Sequence, residues 1–124
     1  MAGPNRGLIM KVFVYGSLKK DQWNHGLLAH AHYLGGMCTE PHYQMLSMGA
    51  FPAVIEDFGN GIPIWGEVYD IDETTLDILD RLEGHPDFYH RVEIMTPWGV
   101  AWIYLLSEPH PSHAKCTISS GDWK

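Results

Sequence analysis

The stretch IPIWGEVYDIDETTLDILDRLEG, residues 62–84, decides the fold, because its periodicity changes partway along. Residues 62–71 alternate apolar and other side chains, the period of a strand packed on a core. From residue 72 the spacing turns helical. Asp72 is placed to accept the unpaired N–H groups of a first turn, and Glu73 adds a favourable negative charge there. Ile71 and Leu76 stand at the two positions of a hydrophobic staple. Leu76, Leu79 and Leu82, flanked by Ile78 or Glu83, form the inward stripe, and Gly84 is a natural stop. The pattern predicts a strand over 62–71 that feeds a helix over 73–83.

Upstream, KVFVY at 11–15 is β-branched and aromatic and reads as a buried strand that ends at Gly16-Ser17-Leu18. DQWNHGLLAHA at 21–31 reads as a short helix or helical turn that buries Trp23, Leu27 and Leu28, with Gly26 weakening it. Extended segments are expected at 32–39, 42–48 and 51–56, followed by a Gly59-Asn60-Gly61 turn. Downstream, residues 88–96 and 100–107 form a hairpin around Pro97-Trp98-Gly99. Pro109 and Pro111 open an irregular tail that ends in ISSGDWK. Strands outnumber helices and no regular β-α-β alternation appears. The expected fold class is α+β, a small mixed β-barrel-like sheet flanked by one or two helices.

The chain of 124 residues is long enough for one core and too short for two. Met10 directly precedes the first strand-like run. Residues 1–9 are therefore expected to be an N-terminal extension outside the fold, and 10–124 a single domain. Apolar residues make up 45% and charged residues 19%, which sets the chain apart from disordered sequences. The longest apolar runs, such as VAWIYLL at 100–106, fall short of a bilayer span, and MAGPNRGLI lacks the apolar stretch of a secretory signal. A cytoplasmic address is expected, with no membrane partner. Eight basic residues against fifteen acidic ones give a net charge of −7, which argues against nucleic acid as a partner. Cys38 and Cys116 form no C-x-x-C pattern and are expected to be reduced thiols. His30-x-His32 and His110-x-x-His113 come with no H-E-x-x-H helix and no thiolate pair, so no metal site is expected.

Two places suit chemistry. Glu83 ends the helix, where the partial negative charge of the C-terminus pushes a carboxyl pKa upward. Walls of Tyr15, Tyr89 or tryptophan would push it the same way, towards a group that takes and returns a proton near neutrality. The plainer reading is a solvated glutamate, or one paired with Arg81 or Arg91. The Gly16-Ser17-Leu18 turn is complementary, since successive backbone N–H groups at a strand end can cradle a carboxylate or an oxyanion. The same turn has an ordinary structural reading. It is not a G-x-x-x-x-G-K-[ST] phosphate loop, and no G-x-S-x-G elbow surrounds Ser17.

YGSL at 15–18, GEVYDID at 66–72, LDRLEG at 79–84 and Tyr89-x-Arg91 occur in this order, followed by TPWGVAWIYLL and SSGDW. Together they resemble the gamma-glutamylcyclotransferase-like family, and its short bacterial-type members in particular, from about Met10 to Trp123. The resemblance implies a small barrel-like α+β domain and a small-molecule γ-glutamyl substrate, with no cofactor. It implies that the loop backbone at Tyr15, Gly16, Ser17 and Leu18 holds the glutamyl group. It places the catalytic glutamate, which some short members lack, on Glu83. The implied reaction is internal aminolysis that releases 5-oxoproline from a γ-glutamyl amine or amino acid, the amine type being favoured. Loop amides or Tyr89 would stabilise the tetrahedral oxygen. The rival is a module on the same scaffold that binds a small carboxylate or a protein without turnover. Oligomeric state is left open by the sequence.

Overall fold

The computed structural model describes residues 9–107 and 116–124. Its strands are β1 (Ile9–Val14), β2 (His32–Cys38), β3 (Tyr43–Ser47), β4 (Pro52–Glu56), β5 (Trp65–Asp72), β6 (Tyr89–Thr96), β7 (Gly99–Leu106) and β8 (Cys116–Thr117). One α-helix, α1 (Glu73–Glu83), and a 3₁₀ turn at His25–Leu28 complete the described elements.

Five strands form a mixed sheet in the order β2-β5-β1-β7-β6, and β4-β3-β8 form a second, smaller sheet. β1 lies antiparallel to β5, with Ile9 opposite Asp72 and Val14 opposite Glu67, and parallel to β7. The large sheet is a middle layer. Along β1, Val12 and Val14 point to one side, where they pack with Ile71, Leu76 and Leu79 of β5 and the helix. Phe13 and Tyr15 point the other way, against Tyr43, Met45 and Val54 of the small sheet. β7 alternates in the same manner, with Tyr104 and Leu106 on the helix side and Ile103 and Leu105 on the small-sheet side. A strand covered on both faces must be apolar at successive positions, which explains the unbroken KVFVY and VAWIYLL runs. The fold is α+β with a mixed sheet.

Local signals place α1 where the sequence does. The Asp72 carboxylate accepts from Thr75 N–H at 2.8 Å, and Gly84 closes the helix in the left-handed conformation, φ 64°. Leu76 and Leu79 are buried, whereas Leu82 is 41% exposed. Element bounds differ from expectation at three places. β1 runs Ile9–Val14, where the strand is expected over 11–15. The strand expected from Ile62 begins at Trp65. Of the short helix or helical turn expected over 21–31, the structure forms the turn, a 3₁₀ at His25–Leu28, and Trp23 and Leu27, expected to be buried, lie exposed at 72% and 38% while Leu28 is buried. Contacts of Asn24 with Ser17 and of His25 with Leu18 override the helical spacing of this segment. No helix of the described residues is long and apolar enough to cross a membrane. His110, His113 and the start of the irregular tail lie outside the described residues.

Candidate active site

A cavity of about 210 Å³ opens where β1, the loop after it, the start of β4 and the end of α1 meet. Its polar end is built from the loop. Leaving β1, Tyr15 turns inward and donates its hydroxyl to the Tyr104 carbonyl at 2.7 Å. Lys19 N–H closes a turn onto Gly16 O at 3.0 Å. Asn24 then clasps Ser17 twice, its backbone N–H on Ser17 O at 2.9 Å and its side-chain amide on Ser17 Oγ at 3.0 Å. His25 Nδ1 meets Leu18 O at 3.0 Å. From the other side, the Glu67 carboxylate accepts Lys20 N–H at 2.8 Å and the Tyr69 hydroxyl at 3.0 Å. The loop's carbonyls are thereby spoken for. Its Gly16, Ser17 and Leu18 amides donate to no turn, loop or side-chain acceptor among the described residues. All three residues line the cavity.

Gly16 has a further requirement that its sequence context does not reveal. A Cβ there would stand 2.8 Å from Pro52 Cγ, so the loop and β4 can approach this closely only over glycine. Pro52 also lines the cavity, and its carbonyl accepts the Tyr89 hydroxyl at 2.9 Å. Tyr89 is therefore wall and buttress. Its single hydroxyl proton is engaged by the Pro52 carbonyl.

Glu83, the last residue of α1, faces this cavity. Burial pushes its carboxyl up to about 7. Buried tyrosines adjoin it. Tyr15 and Tyr89 are raised mainly by burial, with the Glu83 charge adding to the effect, and both stay neutral at physiological pH. The pairing of Glu83 with Arg91, one of the plainer readings, does not occur. Arg91 instead grips Asp80 with two nitrogens, Nε–Oδ1 at 2.8 Å and Nη2–Oδ2 at 3.0 Å. The Tyr104 hydroxyl joins the same carboxylate at 2.6 Å, and the guanidinium lies over Trp102 at 4.4 Å. Asp80 thus binds the cation one helical turn before Glu83. Among the described residues Glu83 enters no ion pair, with Arg81 or any other group. Sequence reasoning missed Asp80, Asn24, Pro52 and Tyr104, because each acts through a contact between different elements, from seven residues away for Asn24 and Ser17 to 89 for Tyr104 and Tyr15.

The cavity mouth is apolar. Phe51, Phe88, Leu82 and Trp23 surround it, with Phe51 and Phe88 edge-to-face at 6.4 Å. Trp65 and Trp98 lie elsewhere. Among the described residues no three His, Cys, Asp or Glu side chains converge to hold a metal ion.

The cavity is thus lined both by the Gly16–Leu18 loop and by the Glu83 carboxyl. The family model described as "Gamma-glutamyl cyclotransferase, AIG2-like" matches residues 12–124. The chain belongs to that family. The match takes in every residue that lines the cavity. Similarity to individual members extends over nearly the whole chain. A Vibrio cholerae protein is 45% identical over 112 residues, 90% of this chain and 93% of that one. The gamma-glutamylcyclotransferase family protein YtfP of Escherichia coli K12 is 40% identical over 114 residues, covering 92% of this chain and 96% of YtfP. The solution NMR structure of Escherichia coli ytfP has a TM-score of 0.72 to this fold over the same shares of the two chains. Gamma-glutamylaminecyclotransferase A of Danio rerio is 36% identical over 94 residues, 70% of this chain and 58% of that protein.

Proposed function

We propose that this protein is a cytoplasmic gamma-glutamylcyclotransferase-type enzyme that releases 5-oxoproline from a γ-glutamyl amine. The observation that carries the reading is that Glu83, which among the described residues has no ion-pair partner, shares one cavity with residues 16–18, whose amides have no turn, loop or side-chain acceptor among those residues. The substrate's α-amine attacks its own γ-carbonyl carbon, forming the N–C bond of the five-membered ring and breaking the C–N bond to the leaving amine. No water is consumed. The loop amides hold the glutamyl carboxylate or the γ-carbonyl oxygen, folding a flexible chain into an attack geometry and so removing part of the entropic cost of ring closure. Glu83 takes a proton from the α-ammonium and returns it to the leaving nitrogen. Ser17 is no nucleophile in this scheme, because the attacking atom belongs to the substrate.

The amine preference rests on the mouth and on the name of the Danio rerio relative. A leaving group that emerges between Trp23, Phe51, Leu82 and Phe88 meets apolar surface and, among the residues described there, no cation to pair with an α-carboxylate. The deciding experiment is a 5-oxoproline release screen over γ-glutamylamines and γ-glutamyl amino acids, with Glu83→Gln as control. Saturable binding across that panel with no product would assign the site to a binding module instead.

Two milder predictions belong to this pocket. Ser17→Ala removes only the acceptor of the Asn24 amide, a loss of about 1 kcal/mol, and is expected to lower kcat/KM about fivefold. A drop as large as that of Glu83→Gln would transfer the chemistry to the hydroxyl. Trp23→Ala strips apolar surface from the mouth and is expected to raise KM about tenfold for γ-glutamyl conjugates of long alkyl or aryl amines. KM for the methylamine conjugate should hardly change, and equal losses for both would place Trp23 outside the leaving-group path.

A further inference from the structure

The C-terminal segment lies against the same loop from outside the cavity. Ile118 N–H donates to Met45 O at 2.7 Å, and Gly121 N–H donates to Ile118 O at 3.1 Å. Gly121 O accepts Trp65 N–H at 2.8 Å. Gly121 itself sits at φ 70° against the Pro63 carbonyl, where any Cβ would overlap it. Trp123 packs against the core cluster that contains Phe13 and Tyr15. The segment is thus tied to β3, to β5 and to the core that carries the cavity wall.

Its far end reaches the loop through one side chain. Lys19 Nζ donates to Asp122 Oδ1 at 3.0 Å and to the Trp123 carbonyl at 2.6 Å, and the lysine side chain is only 12% exposed. Lys19 is also the residue whose N–H closes the turn on Gly16. Ordering a lysine costs rotamer entropy that a solvated one keeps, so two charge-assisted bonds in a half-buried setting mark a fixed attachment. The attachment point is adjacent to Leu18, at the end of the run of free amides.

We propose that Lys19, held by Asp122 and Trp123, is a positioning residue that sets the Gly16–Leu18 amides at the spacing the glutamyl group requires. The inference rests on the function proposed above. Lys19 touches no reacting atom and acts through the backbone of the turn. Loosening it should weaken binding of the glutamyl moiety and leave the proton transfer at Glu83 nearly intact.

The test compares wild type with Lys19→Met, Asp122→Asn and Lys19→Arg. KM and kcat for 5-oxoproline release are measured alongside the Kd for 5-oxoproline itself. Lys19→Met is expected to raise KM and Kd about tenfold with kcat within about threefold. Asp122→Asn, which keeps the Trp123 carbonyl contact, should show a smaller shift of the same kind, and Lys19→Arg should recover most of the binding. Where Lys19→Met fails to fold, Asp122→Asn and Lys19→Arg carry the comparison. Unchanged KM and Kd in the variants of an active wild type would overturn the positioning role alone, as would a kcat loss at constant KM. A wild type that neither releases nor binds 5-oxoproline would remove the proposed function and this role together.

Discussion

Glu83→Gln is expected to cut kcat for 5-oxoproline release by about 10²–10⁴, with the fold intact and KM changed far less. The amide keeps the size of the carboxyl and its place at the end of α1, but it cannot carry a proton between two nitrogens. The wild-type pH profile gives a second, independent sign of the same group. Burial sets Glu83 at about 7. Below about 7 the carboxyl and the substrate's α-ammonium both hold their protons and no base is present, so kcat/KM should fall along an acid limb centred near 7. Once the amine is neutral, attack makes its nitrogen acidic, and ionised Glu83 can carry that proton to the leaving nitrogen. Glu83→Gln should lose the acid limb from its residual rate. Near-normal turnover by the variant, or an acid limb that survives the substitution, would sink Glu83 as the proton carrier.

What the sequence could reveal about this site follows the range of the interactions. α1 is legible to the residue because its signals are local, namely the Asp72 cap, the Ile71–Leu76 staple and the left-handed Gly84. Both central strands are legible as buried because each face packs on a different layer. The loop over 21–31 misleads for the opposite reason. Its apolar spacing is helical, yet Asn24 is drawn to Ser17 and His25 to Leu18, and these pairings hold Trp23 out at the cavity mouth. The state of Glu83 is likewise a tertiary fact. Whether Arg91 neutralises it turns on Asp80, a nearer carboxylate that also takes the Tyr104 hydroxyl, and no spacing rule chooses between two acids three residues apart. The joining of Lys19 to Asp122 spans nearly the whole chain and has no local signature.

The second large effect concerns stability and runs opposite to activity. Glu83 holds its proton more tightly in the folded protein, at about 7, than at the ordinary glutamate value of 4.5. Folding is therefore favoured most below about pH 4.5, where the group is protonated in both states. Between about 4.5 and 7 the unfolded chain gives up the proton first, and the folded state loses stability with every step of pH. Above about 7 the loss is complete. At 1.36 kcal/mol per pKa step, allowing for partial exposure of the pocket, it amounts to about 2–3 kcal/mol. Glu83→Gln removes the titration while keeping a neutral side chain of the same shape. The variant should match wild type in unfolding free energy at pH 4 and exceed it by about 2–3 kcal/mol at pH 8, a rise in Tm of about 5–12 °C. Denaturant unfolding of both proteins across this range isolates the effect, since all other titrating groups cancel in the difference. Parallel curves would mean that water or a counter-charge relieves Glu83 in solution. A gap that opens between pH 4.5 and 7 would show that the carboxylate is held there at the expense of the fold, as expected of a group kept for its chemistry.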